Sequence, residues 1–325
     1  MFTSALRSLI ALGLGALIAT LAAAQDYPAD KPVKFVLPFP PGGSADAVTR
    51  ELADKLQSQG HGIFIIENKP GAAGNLATGQ VVRAAPDGHT ILVGVTGALV
   101  INPELYPNLG YRPETDLTPI SMLAQAPVVI VASRESGLTS LKDLVQRAKA
   151  KPGELSYATN GTGTSHHLAG ELFKQKTGIF MVNIPYNGTP GALQDIGGGR
   201  VDLGFLDLTA ALPMIQSGRI VALATTGSAR PSALPNVPTV AEAGYPGYEA
   251  MTWISLVAPK GMKREHIAKL SGLVNAVLAD EAFKKSTAAK GMEAVGSTPE
   301  AMQRFLAAES DKWRGVIRGA NIRLN

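Results

Sequence analysis

Cysteine is absent from all 325 residues. Its absence excludes disulfides, thiolate metal sites, a cysteine nucleophile and a lipid-bearing N-terminal cysteine. Excess charge is also scarce: 30 Lys and Arg against 26 Asp and Glu give a formal +4, too little for a nucleic-acid footprint. No basic stripe with interleaved aromatics occurs, so no nucleic-acid partner is expected. Beyond residue 24 no apolar run approaches the ~20 residues of a membrane span. Signatures of cofactor and nucleophile chemistry are missing too. The stretch GTGTSHHL, from Gly161, lacks the lysine of a phosphate loop and has His166 where a dinucleotide fingerprint needs glycine. No serine stands in G-x-S-x-G. His166 and His167 are adjacent, hence about 100° apart on a helix, with no acidic cluster in the same loop, which argues against a metal pair.

The N-terminus carries one basic residue, Arg7, then an uncharged apolar run from Leu9 to Leu21, then Ala22-Ala23-Ala24. That order reads as a secretory leader over residues 1–24, cleaved near Ala24. Export to the periplasm follows, with the mature chain not embedded in a membrane. Loss of Arg7 lowers the formal charge from +4 to +3. The remainder, with 45% hydrophobic and 17% charged residues overall, is globular and long enough for two lobes.

The mature chain opens on PFPPGGSADAVTRELADKLQ. A strand-like run, Val33 to Phe39, breaks into prolines and glycines before a helical spacing of Ala45, Val48, Leu52 and Leu56, with Ser44 expected as N-cap. A glycine loop ahead of a helix start offers free N–H groups and a partial positive charge to an anion; an ordinary strand-to-helix turn is the plainer alternative. Strands then alternate with helices, which predicts α/β architecture with largely parallel sheets. A second series begins after Gln125 and repeats the order strand, glycine loop ending in Ser or Thr, helix, GIF, strand, PGA, helix, strand. The pattern predicts lobe 1 from residues 25–123 and 250–325, interrupted by lobe 2 from residues 124–249, with crossovers near Gln125 and Tyr248. Ligands bind beyond the carboxyl ends of such strands, so a cleft between the lobes is expected, with a glycine-rich helix start on each side.

Asp46 lies in a first helical turn, where a carboxylate complements the dipole without further function. Asp207 ends a strand at the cleft edge and suits either a ligand hydroxyl or amine, or a helix cap. Tyr186, at the same edge, suits a ligand wall or lobe packing.

PGGSAD, ENKPGAAGN, APDGHTILVG, NPELYPNLGYRPETDLTPI, GTGTSHHLAGELF, IPYNGTPGALQDIGGGRVDLGF, PTVAEAGYPGYEAMTW and APKG occur in this order along the whole mature chain. Together they resemble the Bug-type periplasmic receptors of tripartite tricarboxylate transporters. The resemblance implies a two-lobed, type II periplasmic-binding-protein fold that closes on a small carboxylate, gripped by backbone amides and waters. It implies a first-lobe grip at Phe39, Pro41, Gly42, Gly43, Ser44 and Asp46. The second-lobe grip falls on Asn160, Gly161, Gly163, Thr164, Ser165 and His166, with Tyr186, Gly188 and Asp207 lining the wall. The chain is then a monomeric receptor delivering a di- or tricarboxylate, amino acid or aromatic acid to membrane transporter subunits, with no catalytic residue, cofactor or metal. A receptor signalling to a membrane sensor, and an exported serine hydrolase using Ser165 and His166, are the alternatives.

Overall fold

The computed structural model describes residues 27–322, residue 30 excepted; the expected leader lies outside them. The first series is β1 (Val33–Leu37), α1 (Ser44–Ser58), β2 (Phe64–Asn68), α2 (Asn75–Val82) and β3 (Thr90–Val95). A π-helical turn, Gly97–Ile101, leads through two short helical turns to β4 (Leu117–Ser133). The second series comprises α3 (Leu141–Ala150), β5 (Ser156–Thr159), α4 (Ser165–Thr177), β6 (Val182–Pro185), α5 (Thr189–Gly197), β7 (Leu203–Asp207), α6 (Leu208–Gln216) and β8 (Ile220–Thr225). The chain returns through β9 (Met251–Pro259), α7 (Arg264–Ala279), α8 (Glu281–Ala289), β10 (Glu293–Ala294) and α9 (Pro299–Gly319).

The apolar alternation of β1 is buried on both faces: Val33, Phe35 and Leu37 pack with Val48, Leu52 and Leu56 of α1, while Val36 faces Ala77 and Val81 of α2. This two-sided burial is what a parallel sheet requires. β1 pairs parallel with β2 and β3, and β5 with β6 and β7. The crossover strands are antiparallel insertions. The strand order is β2-β1-β3-β9-β4-β7-β5-β6, with β8 and β10 also pairing β4.

β4 stitches the two groups together. Its first part, Leu117 to Pro127, pairs with β9, and Val128 to Ala132 pair with β7. Val95 at the end of β3 lies opposite Ile254, which lies opposite Ala124, whereas Asp207 at the end of β7 lies opposite Val128. The parallel strands of the two groups therefore run toward each other, and their carboxyl ends meet at residues 124–128. β4 begins at Leu117, ahead of the second series read as starting after Gln125, because β9 offers it a partner edge that local patterning does not show.

One apolar cluster runs through both groups beneath α9, taking in Val36 and Ala77, Phe173 and Phe205, and Trp253 and Trp313. The others are confined to one group each. α8 and β8 had no counterpart in the sequence reading.

Candidate ligand-binding cleft

The loop after β1 turns on Gly42 at φ +96°, a conformation open to glycine. Ser44 is not the cap of α1: Gly43 holds that position, with no side-chain bond, and Ser44 is the first helical residue. The physical reason lies at Asp46, which is 3% exposed and whose Oδ2 accepts from the Gly42 N–H at 2.9 Å. That bond sets the turn without a capping hydroxyl. The same oxygen accepts from Arg50 Nε at 2.9 Å, and Oδ1 from Asn68 Nδ2 at 2.9 Å. Asn68 Nδ2 also donates to the Phe39 carbonyl, and Arg50 Nη2 to Asn68 Oδ1. Burial alone would raise the Asp46 carboxyl, but hydrogen bonds from Arg50, Asn68 and Gly42 hold it below its ordinary value. Asp46 thus spends its carboxylate on the loop, while Phe39, Pro41, Gly42 and Gly43 remain exposed. Among the described residues the amides of Ser44, Ala45 and Asp46 donate no hydrogen bond, as expected of a first helical turn.

The loop after β5 turns on Gly161 at φ +121° and Gly163 at φ +77°. Thr164 caps α4, its hydroxyl accepting from the His167 N–H at 3.3 Å. The amides of Ser165 and His166 are left open. At the end of β7, Asp207 collects three donors: His166 Nε2 on Oδ1 at 2.9 Å, and Asn160 Nδ2 and the Thr189 hydroxyl on Oδ2 at 2.8 and 2.6 Å. Desolvation opposes its ionisation, but the electrostatic influence of the neighbouring His166 and these bonds hold the carboxyl far below the usual range. Its side chain stays 42% exposed. The buried His166 Nδ1 has no partner among the described residues. Tyr186 donates to Asp195 Oδ2 at 2.7 Å, and burial together with that carboxylate pushes its pKa up to about 12. Gly188, at φ +96°, precedes α5. Ser165 and His166, the pair a hydrolase would need, make no hydrogen bond to each other among the described residues.

Hydrogen bonds gather Phe39, Gly42 and Asp46 through Asn68 into one group and Asn160, His166 and Asp207 into another, and no hydrogen bond or ion pair joins the two among the described residues. Sequence reasoning did not foresee the bonds that Arg50, Asn68 and Thr189 make to these carboxylates. Asn68 stands in the quoted ENKPGAAGN, but its bridge to Phe39 and Asp46 spans 29 and 22 residues. It also missed the strained turn beyond Asn68, where Ala72 and Ala73 sit at φ +47° and +51°. Asn102 Nδ2 braces that turn on the Ala73 carbonyl and Asn75 Oδ1, at 3.2 and 2.6 Å. A cavity of about 760 Å³ lies elsewhere, between residues 99–119 and α9. None of the candidate residues lines it, and its Arg314 is already neutralised by Glu104 at 2.6 Å.

Two α/β halves stitched by long crossover strands, with glycine loops and open helix starts at the facing strand ends, define the class of two-lobed periplasmic binding proteins. The chain belongs to the TctC family, the tripartite tricarboxylate transporter family receptors, whose family model matches residues 48–322. It is 37% identical over 308 residues to protein BugT of Bordetella pertussis, covering 94% of each chain. Among solved structures it resembles Rpa4515 of R. palustris with adipate, at TM-score 0.83 and 35% identity over 92% of this chain and 99% of that one. MatC from Rhodopseudomonas palustris with bound malate is similar at TM-score 0.76 and 30% identity, over 88% and 98%.

Proposed function

We propose that this receptor captures a small dicarboxylate between two lobes, residues 25–123 with 250–325 and residues 124–249, and delivers it to a membrane transporter after export and cleavage near Ala24. The observation that carries the reading is the pair of open helix starts, Ser44 to Asp46 and Ser165 to His166, at the facing strand ends. No Lys or Arg lies in residues 38–48, 159–171 or 186–195, so neutral donors and helix dipoles hold the anion, directly or through water. The adipate and malate of the two similar structures fit that chemistry. Asp207, with its side chain partly exposed, suits a hydroxyl or ammonium on the ligand. Closure then follows from a ligand that touches both walls, and the radius of gyration from X-ray scattering shrinks on binding.

Proline at a helix's first position keeps the helix but removes the amide. Gly43 and Thr164, at ψ 169° and 162°, already have the extended conformation that must precede proline. Ser44→Pro and Ser165→Pro each weaken malate or adipate binding about tenfold relative to Ser44→Ala and Ser165→Ala, for loss of one hydrogen bond to a charged group. Isothermal calorimetry checks this. Proline variants that bind as the alanine variants do would overturn the amide grip.

A further inference from the structure

The two glycine loops share a device that neither strand order nor motif reveals. In α1 the cap is Gly43, so Asp46 is the third helical residue, and its carboxylate accepts from the N–H of Gly42, the residue before the cap. In α4 the cap is Thr164, so His167 is the third helical residue, and its Nδ1 accepts from the N–H of Gly163, again the residue before the cap, at 3.2 Å. Both glycines have positive φ, +96° and +77°. An acceptor at the third position reaching back to a backbone amide is half of a capping box, here moved one residue outward.

We propose that Asp46 and His167 are equivalent positioning residues, one per wall, that turn the Gly42 and Gly163 amides inward and leave the next helix amides to face the ligand. The inference rests on the reading of both loops as ligand-binding elements. His167 is not itself among the candidate ligand positions, and its ring reaches them through the Gly163 amide. An amide can only donate to Nδ1, so the imidazole is the Nε2–H tautomer. Nε2 lies 3.7 Å from Glu171 Oε1, an oxygen that also accepts from the Tyr157 hydroxyl at 2.6 Å and Lys174 Nζ at 2.8 Å. His167 is 6% exposed, and burial lowers its pKa, which keeps it a neutral acceptor. The histidine gains the bond without adding another carboxylate to a wall that already holds Asp207. It also follows that Gly163, expected as an amide donor, is used up within the loop.

The test compares His167→Asn, whose Oδ1 stands where Nδ1 stood, with His167→Leu, which keeps the volume and loses the acceptor. Circular dichroism and urea unfolding confirm that both fold. Calorimetry with malate and adipate reads the site, and hydrogen–deuterium exchange reads the Gly163 amide. His167→Asn should keep affinity within about threefold and the amide protected, whereas His167→Leu should deprotect the amide and weaken binding about tenfold. Equal impairment of both variants, or a His167→Leu protein with a protected amide and unchanged affinity, would overturn the proposal. If the wild-type protein binds neither acid, the carboxylate reading fails by itself, and protection of Gly163 in the three proteins still decides the role of His167.

Discussion

Trp253 and Trp313, the two tryptophans of the chain, share one acceptor: their indole N–H groups donate to Glu309 Oε2 at 3.2 and 3.0 Å. Both rings are buried, and the second Glu309 oxygen pairs with Lys312. The bond set ties the crossover strand β9 to α9, the helix that lies over the core shared by both halves. Glu309→Ala strands two buried donors and should cost roughly 2–6 kcal/mol, at about 1–3 kcal/mol for each. Glu309→Gln, which keeps one carbonyl acceptor, should cost less. Urea unfolding followed by tryptophan fluorescence measures both, and an unchanged midpoint for Glu309→Ala would contradict the arrangement.

Asp46 and Arg50 carry opposite charges in the same network but differ in burial. Asp46→Ala removes the acceptor for Gly42, Asn68 and Arg50 together, so stability should fall by about 1–3 kcal/mol and carboxylate affinity by about tenfold. Arg50 has a side chain 44% exposed, and Arg50→Ala should cost under about 1 kcal/mol and leave affinity within a few-fold. Calorimetry and thermal unfolding of both variants check the order. Abolished binding in a folded Arg50→Ala protein would mean that the ligand is held by a charge clamp.

Of the groups with lowered pKa values, Asp46, Asp207 and His167 bear on the proposed site. Asp46 and Asp207 have lowered folded pKa values. Their contribution is complete above the unfolded carboxylate value, about 4, and is lost only as pH falls below it. His167 is depressed from 6.5 by burial. Between 6.5 and its lower folded value the unfolded chain binds more protons, so stability falls as pH drops through that window. His167→Asn lacks this titration and should show a flatter fall in urea midpoint between pH 7.5 and 5.5. Identical slopes for wild type and variant would show that His167 is not held neutral.

Much of the architecture was legible because it is written in local patterns. The spacing of Val48, Leu52 and Leu56 announced α1, and the near-continuous burial of VKFVL matched a central parallel strand. The glycine loops at 42–43 and 161–163 were readable because positive φ favours glycine. Capping was read less well: Ser44 looked like the cap, but the Asp46 carboxylate, two residues on, settled the turn differently. Asp207 was visible as a strand end, yet its partners come from two separate segments, Asn160 and His166 from the β5–α4 connection and Thr189 from the start of α5.

The sequence by itself determined the alternation of strands and helices, the two glycine-led helix starts, the lack of cations in those loops and the resemblance to a receptor family. Each of these depends on residues within a few positions of one another, where periodicity, φ preference and charge act directly. Only the tertiary structure decided that β4 begins at Leu117, that the two sets of strands converge at residues 124–128, and that Asn68 braces Phe39 and Asp46. These depend on which distant edges and donors meet. Burial of Asp46 and His167 then forces each to find a partner, and the nearest unpaired group is the amide of the glycine four residues before it.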